Sequence, residues 1–329
     1  MLPFCLTTRF DPDQIVYRTA LGSQITGDSR KLLRRVPDGC INLLVTSPPF
    51  PLLRKKAYGN EDQAEYVEWL AEFAELALPK LADDGSLVID IGGAYKRGVP
   101  VRSLHQFRFL LKLVDEVGYH LAEEFYWHNP SKLPSPIEWV NKRKIRAKDS
   151  VNTVWWFSKT EWPKADVNPV RVPYSDRMKK LLDDPNRFYT AAERPSQHSI
   201  SERFSRDNGG ALPSNLLSIA NTDSNSYYIR TARELGITSH PARFPEGLPE
   251  FFIRMLTEPG DLVLDIFAGS NTTGAVAERE GRRWLAFEAD RDYAALSVLR
   301  FLAGTDDSSP DEAEKIYEKA LVGGLDLRE

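Results

Sequence analysis

Short apolar runs alternate with amphipathic helical patterns along this chain of 329 residues, and this alternation limits the possible folds more than any other feature. Strands are predicted at residues 24–27, 41–45, 86–91, 262–266 and 284–288, with helical patterns between them. The run at 41–45 is continuously apolar, which is typical of parallel strands buried on both faces. We therefore predict an α/β fold with a mostly parallel sheet.

Apolar spacing also predicts two particular helices and an antiparallel hairpin. Residues 65–81 place seven apolar side chains on one helical face. Residues 103–116 form a second helix that we expect to end at Gly118. Its expected inward side chains are Leu104, Phe107, Leu111 and Val114. Residues 121–127 and 151–157 read as two strands, which we predict to pair antiparallel at an edge of the sheet.

Residues 161–239 keep neither the helical nor the strand period, so we expect an irregular insert there. The formal net charge of −4 taken alone argues against nucleic acid as a partner. The charge is unevenly distributed, however, because residues 130–208 contain sixteen Lys and Arg against ten Asp and Glu. The acidity is concentrated at 301–329. The basic middle is a candidate phosphate-binding surface, with a plain solvated loop as the alternative.

A glycine-rich turn at residues 265–274 (DIFAGSNTTG) joins a strand to a helix, and Glu288 ends the following strand. Glycine lets the backbone approach a ligand, a helix N-terminus favours an anion, and the acid can accept bonds from ribose hydroxyls. The chain has neither GxGxxG for a dinucleotide nor GK[ST] for a triphosphate at this turn. A smaller cofactor with a carboxylate and a ribose, such as S-adenosylmethionine, fits better; a turn that only packs is the alternative.

A second turn at residues 46–50 (TSPPF) follows the apolar strand 41–45, at the end where open α/β sheets bind their ligands. Two prolines stiffen the turn and remove two N–H donors, which leaves the Ser47 hydroxyl and the Pro48 carbonyl as neighbouring acceptors. Such a pair can hold both hydrogens of a nucleobase amine and aim its lone pair at a methyl donor. Phe50 can stack on an extruded base. A Pro-Pro pair that only ends a strand is the alternative.

Together the two turns resemble those of the S-adenosylmethionine-dependent DNA amino-methyltransferases, in the class whose catalytic motif precedes the cofactor motif. Five longer segments are similar in register: LLVTSPPFPLLRKKAYGN, LVIDIGGAYKRGVP, EFYWHNPSKLPSP, VNTVWWFSK and HPARFPEGLPEFFI. The resemblance implies a Rossmann-like methyltransferase fold, circularly permuted, that methylates a base flipped out of duplex DNA. Serine before Pro-Pro resembles the cytosine-N4 branch, found in modification enzymes of restriction systems. Adenine-N6 methylation, for which Asp-Pro-Pro-Tyr is usual, stays the alternative.

The resemblance also implies residue roles and domain boundaries. The catalytic set is Ser47, Pro48, Pro49 and Phe50. The cofactor-binding set is Asp28, Asp265, Phe267, Gly269, Ser270, Asn271 and Glu288. The implied domains are a catalytic half at 1–160, a target-recognition insert at 161–239, a cofactor-binding half at 240–303 and an acidic C-terminal tail at 304–329.

Double-stranded DNA is the expected partner. The candidate phosphate contacts are Arg54, Lys55, Lys56, Lys142, Arg143, Lys144, Arg146 and Lys148. The candidate readers of base edges in the insert are Arg194, Gln197, Arg203, Arg206 and Asn208. The resemblance implies a short palindromic site such as CAGCTG and a functional pairing with a restriction endonuclease. A non-catalytic DNA-binding module and a dinucleotide-dependent oxidoreductase are alternatives, but neither needs free acceptors on a Pro-Pro turn.

The spacing of the cysteines and histidines does not indicate a metal site. Cys5, Cys40 and the five histidines lack metal-ligand spacing, so we expect no metal site and a reduced, cytoplasmic protein. Cytosine-C5 methylation needs a cysteine nucleophile, and Cys40 follows Gly39 rather than a proline. Because no apolar run approaches the ~18 residues that span a bilayer, we expect no membrane association.

Overall fold

The computed structural model describes residues 4–50, 65–184, 206–222, 226–303 and 309–328. Within this part, ten strands form one sheet: β1 (Ile15–Arg18), β2 (Gly22–Thr26), β3 (Ile41–Thr46), β4 (Leu81–Ile91), β5 (His120–His128), β6 (Val151–Ser158), β7 (Leu216–Ser218), β8 (Leu262–Asp265), β9 (Arg283–Glu288) and β10 (Leu325–Asp326). The α-helices described are α1 (Phe4–Thr7), α2 (Ser29–Arg35), α3 (Tyr66–Ala77), α4 (His105–Lys112), α5 (Asp176–Asp183), α6 (Tyr227–Glu234), α7 (Gly247–Leu256), α8 (Thr272–Arg279), α9 (Arg291–Leu296) and α10 (Pro310–Val322).

The sheet is mostly parallel, as predicted. Its spatial order is β10-β1-β2-β9-β8-β3-β4-β6-β5-β7. Its five central strands all run parallel, namely β2, β9, β8, β3 and β4. β9 lies beside β2, although most of the described chain separates them in sequence. That adjacency agrees with a permuted order of elements, and the permutation itself stays a prediction.

The predicted hairpin is confirmed, but it is not the outermost part of the sheet. β5 and β6 pair antiparallel along nearly their whole length. The short strand β7 then adds to β5 in parallel, with Tyr126 opposite Leu216. At the other edge, β1 and β2 form a second antiparallel pair. β7 and β10 were not predicted, because strands of three and two residues are too short to show an alternation of apolar and polar residues.

The chain divides into two compact units, of which one comprises Met1–Ala165 and Asn215–Glu329 and the other Asp166–Ser214. The second unit contains α5 and one isolated bridge, Val172 to Ala211. Residues 310–326, placed in the expected acidic tail, form α10 and β10, and β10 pairs with β1. The four expected domains stay a proposal.

The predicted inward face of the helix at 103–116 is wrong. The helix and its end at Gly118 are confirmed, with a left-handed φ of 98° at that glycine. However, Leu104, Phe107, Leu111 and Val114 are between 37% and 57% exposed. The buried side chains lie one step around the helix: His105, Gln106, Phe109 and Leu113. Apolar residues occupy both faces of this helix, so its spacing alone did not decide which face packs.

The main core lies between the sheet and helices that include α2 and α3. Leu44 of β3, Leu264 of β8 and Leu285 of β9 are buried in it. Buried central strands hold their carboxyl ends in fixed positions, and the functional residues lie at those ends. No helix in the described ranges is long and apolar enough to cross a membrane. Among the same residues, no group of three or more His, Cys, Asp or Glu side chains is placed to hold a metal ion.

Candidate active site

A cavity of about 610 Å³ opens where β2, β3, β4, β8 and β9 end. Such a volume is typical of sites that bind cofactors and other small ligands. The cavity brings together residues of both predicted turns. The sequence-predicted residues that line it are Asp28, Ser47, Pro48, Pro49, Phe50, Phe267, Ser270 and Glu288. Asp265, Gly269 and Asn271 do not line it. Asp265 and Gly269 form hydrogen bonds with residues that do, and the Asn271 side chain caps α8.

Ser47 lies directly after β3 and donates its hydroxyl hydrogen to Asp90 Oδ2 at 3.0 Å. Asn152 Nδ2 donates to the other carboxylate oxygen, Oδ1, at 3.0 Å. Asp90 comes from the end of β4 and Asn152 from the start of β6, so three neighbouring strands build this arrangement. The serine hydroxyl hydrogen therefore has a fixed direction, and the oxygen of this cavity-lining residue keeps its capacity to accept a hydrogen bond.

Burial raises the pKa of the Asp90 carboxyl to about 6, although the bonds from Asn152 and Ser47 work in the opposite direction. The carboxyl is 4% exposed and lies at the cavity wall. A carboxyl with such a pKa exchanges protons near neutral pH. Asp90 was not predicted from the sequence, although it is a single acid inside the apolar run LVIDI. An ionisable group in a buried strand is a candidate functional residue.

Asp265 ties the catalytic turn to the cofactor turn. Its Oδ1 accepts the Thr46 hydroxyl at 2.6 Å and the Phe267 backbone N–H at 3.0 Å. Its Oδ2 accepts the Thr273 hydroxyl at 2.6 Å. Burial raises the pKa of this carboxyl, while those three bonds stabilise the charged form. The carboxylate is thus occupied beneath the cavity and holds the ends of β3 and β8 together.

We expect Asp265→Ala to lower the free energy of unfolding by about 3 kcal/mol, because two buried hydroxyl groups and the part-buried Phe267 N–H would lose their acceptor. Urea denaturation measures this loss. Asp38→Ala is the matched control: Asp38 pairs with Lys80, but its side chain is 71% exposed, so a loss below about 1 kcal/mol is expected. Equal stability losses in the two variants would contradict the tying role.

The cofactor turn has a tightly specified backbone. Gly269 has φ +52°, and a Cβ there would lie 2.9 Å from the His240 ring. Its N–H donates to Glu288 Oε2 at 2.7 Å, and Asp290 N–H donates to Glu288 Oε1 at 2.9 Å. Asn271, also left-handed, caps α8 by accepting the Gly274 N–H at 2.9 Å. The side chain of Asn271 is therefore committed to the helix end.

Asp28 follows β2 and forms part of the cavity wall, but its carboxylate is already paired. It accepts the Arg30 N–H and guanidinium at 2.9 to 3.1 Å, and these bonds lower the pKa of the carboxyl. The Arg30 guanidinium also lies 5.6 Å from the centre of the Phe73 ring. Phe73 and Trp69 pack against Phe267, which gives this end of the cavity an aromatic wall.

The cavity wall opposite this aromatic cluster includes Phe50 and residues that were not predicted from the sequence. Phe50 packs against the backbone of Gly92, where a Cβ would come within 2.3 Å of the ring. Glycine at 92 is thus required for this ring position. The remaining walls come mainly from the ends of β5 and β6 and from a loop that precedes α7: Trp127, Asn129, Lys132, Ser150, Asn152, Asn221 and residues 240–244.

Comparison with known proteins identifies the family. A family profile described as DNA methylase matches residues 41–299. A relative, the type II methyltransferase M.PvuII of Proteus hauseri, is 60% identical over 312 residues, covering 94% of this chain and 92% of that one. The chain belongs to the DNA methylase family. This methylase is also 26% identical over 286 residues to the type II methyltransferase M.BglII of Bacillus subtilis, covering 87% of this chain and 69% of the other.

Solved structures agree with the fold of this methylase. The structure titled PvuII DNA methyltransferase (cytosine-N4-specific) matches with a TM-score of 0.78 and 51% identity, covering 96% of this chain and 99% of that one. TTHA0409, a putative DNA modification methylase of Thermus thermophilus complexed with S-adenosyl-L-methionine, matches with a TM-score of 0.52 and 21% identity, covering 84% and 93%. The second likeness shows the fold alone. The Rossmann-like methyltransferase fold is thereby confirmed.

Only some of the predicted DNA-contacting residues of this methylase lie within the described part of the chain. Arg54, Lys55, Lys56, Arg194, Gln197 and Arg203 lie outside the described residues. Arg206, Asn208 and residues 142–148 are all exposed. Arg143 pairs with Glu138 at 2.9 Å, and Arg146 donates to the Pro100 carbonyl at 2.8 Å. Lys142 pairs with Glu138 at 3.4 Å, and Lys144 makes no hydrogen bond or ion pair with the part of the chain that the structure describes.

Proposed function

We propose that this methylase transfers the methyl group of S-adenosylmethionine to the exocyclic N4 of a cytosine flipped out of duplex DNA. The observation that carries the proposal is the hydrogen bond from Ser47 to Asp90 at the cavity wall. It leaves a serine oxygen as an acceptor beside the Pro48 carbonyl, and an amine with two N–H groups needs two acceptors. The cytosine-N4 specificity of the PvuII DNA methyltransferase, whose structure matches with a TM-score of 0.78, supports cytosine N4 over adenine N6.

The cavity suits the proposed cofactor. Glu288 presents a carboxylate toward the cavity and is held by two backbone N–H groups, which orients it to accept bonds from ribose hydroxyls. The Gly269 backbone turns where a Cβ would meet the His240 ring, and this turn lets its N–H hold the Glu288 carboxylate. Phe267, Phe73 and Trp69 offer apolar surface to an adenine ring. When bound, S-adenosylmethionine supplies an electrophilic methyl group carried on a positively charged sulfur.

The residues of the catalytic turn orient the target amine. The Ser47 oxygen accepts one N–H of the cytosine amine, and the Pro48 carbonyl accepts the other. These two bonds draw the nitrogen lone pair out of conjugation with the ring and direct it toward the methyl carbon. As the N–C bond forms and the S–C bond breaks, the nitrogen becomes positively charged. Ser47 then passes one amine proton to Asp90, whose pKa of about 6 suits a proton acceptor near neutral pH.

DNA is the partner of this family, and the finer partner assignments are proposals. Exposed Lys142 and Lys144 are the best placed of the described candidates to contact phosphates, because Lys148 and Arg146 hold loop carbonyls. The unit Asp166–Ser214 is a compact part of the proposed target-recognition insert. We further propose a cytoplasmic location and protection of the host's recognition sites against a companion restriction endonuclease.

Product analysis tests the proposal directly. The protein is incubated with duplex DNA and methyl-labelled S-adenosylmethionine, and the DNA is digested to nucleosides. We expect label in N4-methyldeoxycytidine, and more of it from a duplex containing CAGCTG than from a scrambled duplex of equal composition. Label in N6-methyldeoxyadenosine would overturn the cytosine assignment. Absence of label with every DNA would favour the non-catalytic DNA-binding alternative.

Glu288→Ala should weaken the binding of S-adenosylmethionine about 10-fold or more, because a charge-assisted hydrogen bond to the ribose is lost. Isothermal titration calorimetry measures the Kd without DNA. Glu258→Ala serves as control, since Glu258 lies outside the cavity and pairs with Lys164. Unchanged affinity in the Glu288 variant would remove this residue from the cofactor site.

A further inference from the structure

An exposed leucine directly follows a residue of the cavity wall. Leu133 is 81% exposed, and its neighbour Lys132 lines the cavity into which the target base must enter. Single exposed apolar side chains are common on protein surfaces and need no explanation by themselves. The position and the support of Leu133 distinguish it from such residues.

The loop that carries Leu133 is held at both ends by the residues before β6. Asn129 N–H donates to the Ser150 carbonyl at 2.8 Å, and Asp149 N–H donates to the Ser135 carbonyl at 2.9 Å. Asn129 also accepts the Ser131 N–H at 3.1 Å through its side chain. The loop is therefore anchored on either side of the leucine by backbone hydrogen bonds.

A lysine and three prolines stiffen the same loop. Lys148 Nζ donates to the carbonyls of Pro130 and Lys132, at 3.3 and 3.1 Å. Pro130, Pro134 and Pro136 restrict φ around the leucine. Little conformational entropy remains to be lost when such a loop is inserted into a partner. This arrangement gives Lys148 a structural role, and the phosphate contact expected from sequence stays a prediction.

Base flipping creates a need for such a side chain. Extruding a nucleotide costs a few kcal/mol and leaves an unfilled space in the stack of bases. Proteins that distort DNA fill such spaces with apolar wedges such as leucine. We propose that Leu133 enters the duplex and occupies the space vacated by the target cytosine. This inference rests on the proposed function, because it presupposes a base that leaves the helix.

Leu133 is preferred over Ile137, the next exposed apolar residue along the chain. Ile137 is 61% exposed, but it lies five residues beyond Lys132 and after the anchored Ser135. Leu133 adjoins a residue of the cavity wall, and adjacent Cα atoms are only about 3.8 Å apart. The wedge and the pocket that receives the base are therefore neighbours, as the geometry of flipping requires.

The test compares single-turnover methylation of two duplexes with the full-length protein. In the first the target cytosine is paired with guanine, and in the second it faces an abasic site, so little energy is needed to extrude it. We expect Leu133→Ala to slow methylation of the paired duplex about 10-fold or more and of the abasic duplex less than about 3-fold. Leu133→Met, which keeps an apolar side chain of similar volume, should retain most of the rate on both duplexes.

Leu111→Ala is the matched control, because Leu111 is 57% exposed on α4 and does not line the cavity. It should methylate both duplexes at the wild-type rate. Equal slowing of both duplexes by Leu133→Ala, or slowing of neither, would overturn the wedge. The same rescue pattern in Ile137→Ala with none in Leu133→Ala would also overturn it. If the wild-type protein methylates neither duplex, the proposed function itself fails and the wedge falls with it.

Discussion

Ser47→Ala is expected to slow methyl transfer about 10²–10³-fold while leaving the affinity for S-adenosylmethionine nearly unchanged. The variant loses one of two acceptors proposed to hold the target amine, and losses of this size accompany removal of one preorganised hydrogen-bonding group from an active site. Single-turnover kinetics on duplex DNA measure the chemical step, and calorimetry measures cofactor binding. A variant with the wild-type single-turnover rate would exclude Ser47 from catalysis.

Ser47→Thr is a matched control for this prediction. Threonine keeps a hydroxyl that can donate to Asp90 and accept from the amine, so its rate should lie well above that of the alanine variant. Equal losses in both variants would indicate that packing at the turn, and not the hydroxyl, sustains the rate. Thr46, the residue before Ser47, donates to the Asp265 carboxylate, so a substitution at 47 can also disturb this contact. Thermal unfolding of both variants should therefore be measured together with the rates, to separate a loss of stability from a loss of the hydroxyl.

Asp90→Asn is expected to slow the chemical step about 10²-fold and to abolish its dependence on pH near 6. Asn152 donates to Oδ1, so the amide oxygen of the new side chain would face Asn152 and its NH₂ group would face Ser47. The serine oxygen would then accept a bond from that group, which competes with the target amine. The variant also lacks a carboxylate to receive the proton.

The sign of the pH effect follows from the raised pKa. Below about pH 6 the wild-type Asp90 carboxyl is protonated and cannot take the proton from Ser47, so the wild-type rate should fall as pH falls through this value.

The free energy of unfolding depends on pH in the opposite sense. A raised folded-state pKa favours folding at low pH, and that contribution is lost as pH rises from about 4 to about 6. At pH 8 the asparagine variant should therefore unfold no earlier than the wild type. The same inflection near pH 6 in both proteins would contradict the role of Asp90.

Sequence patterns predicted the elements near the site better than the contacts between them. The strand at 41–45, the hairpin of β5 and β6, and the end of the helix at Gly118 are confirmed because each depends on residues close in sequence. The buried face of α4 was wrongly predicted, since it depends on which surface of the sheet meets the helix. The contact between the Asp265 carboxylate and Thr46, which lies 219 residues away, was not predicted, and the role of Asp265 at the cofactor stays a prediction.

The sequence by itself determined the α/β class and the order of the two turns, because strand periodicity, proline and glycine act over a few residues. The family was indicated by the resemblance of its motifs and longer segments. Only the tertiary structure decided that Asp90 orients Ser47 across 43 residues of chain and that Asp265 holds the two turns together. It also decided which leucine stands beside the cavity. A hydrogen bond between strands requires their ends to meet in space, and the register of the folded sheet sets where they meet.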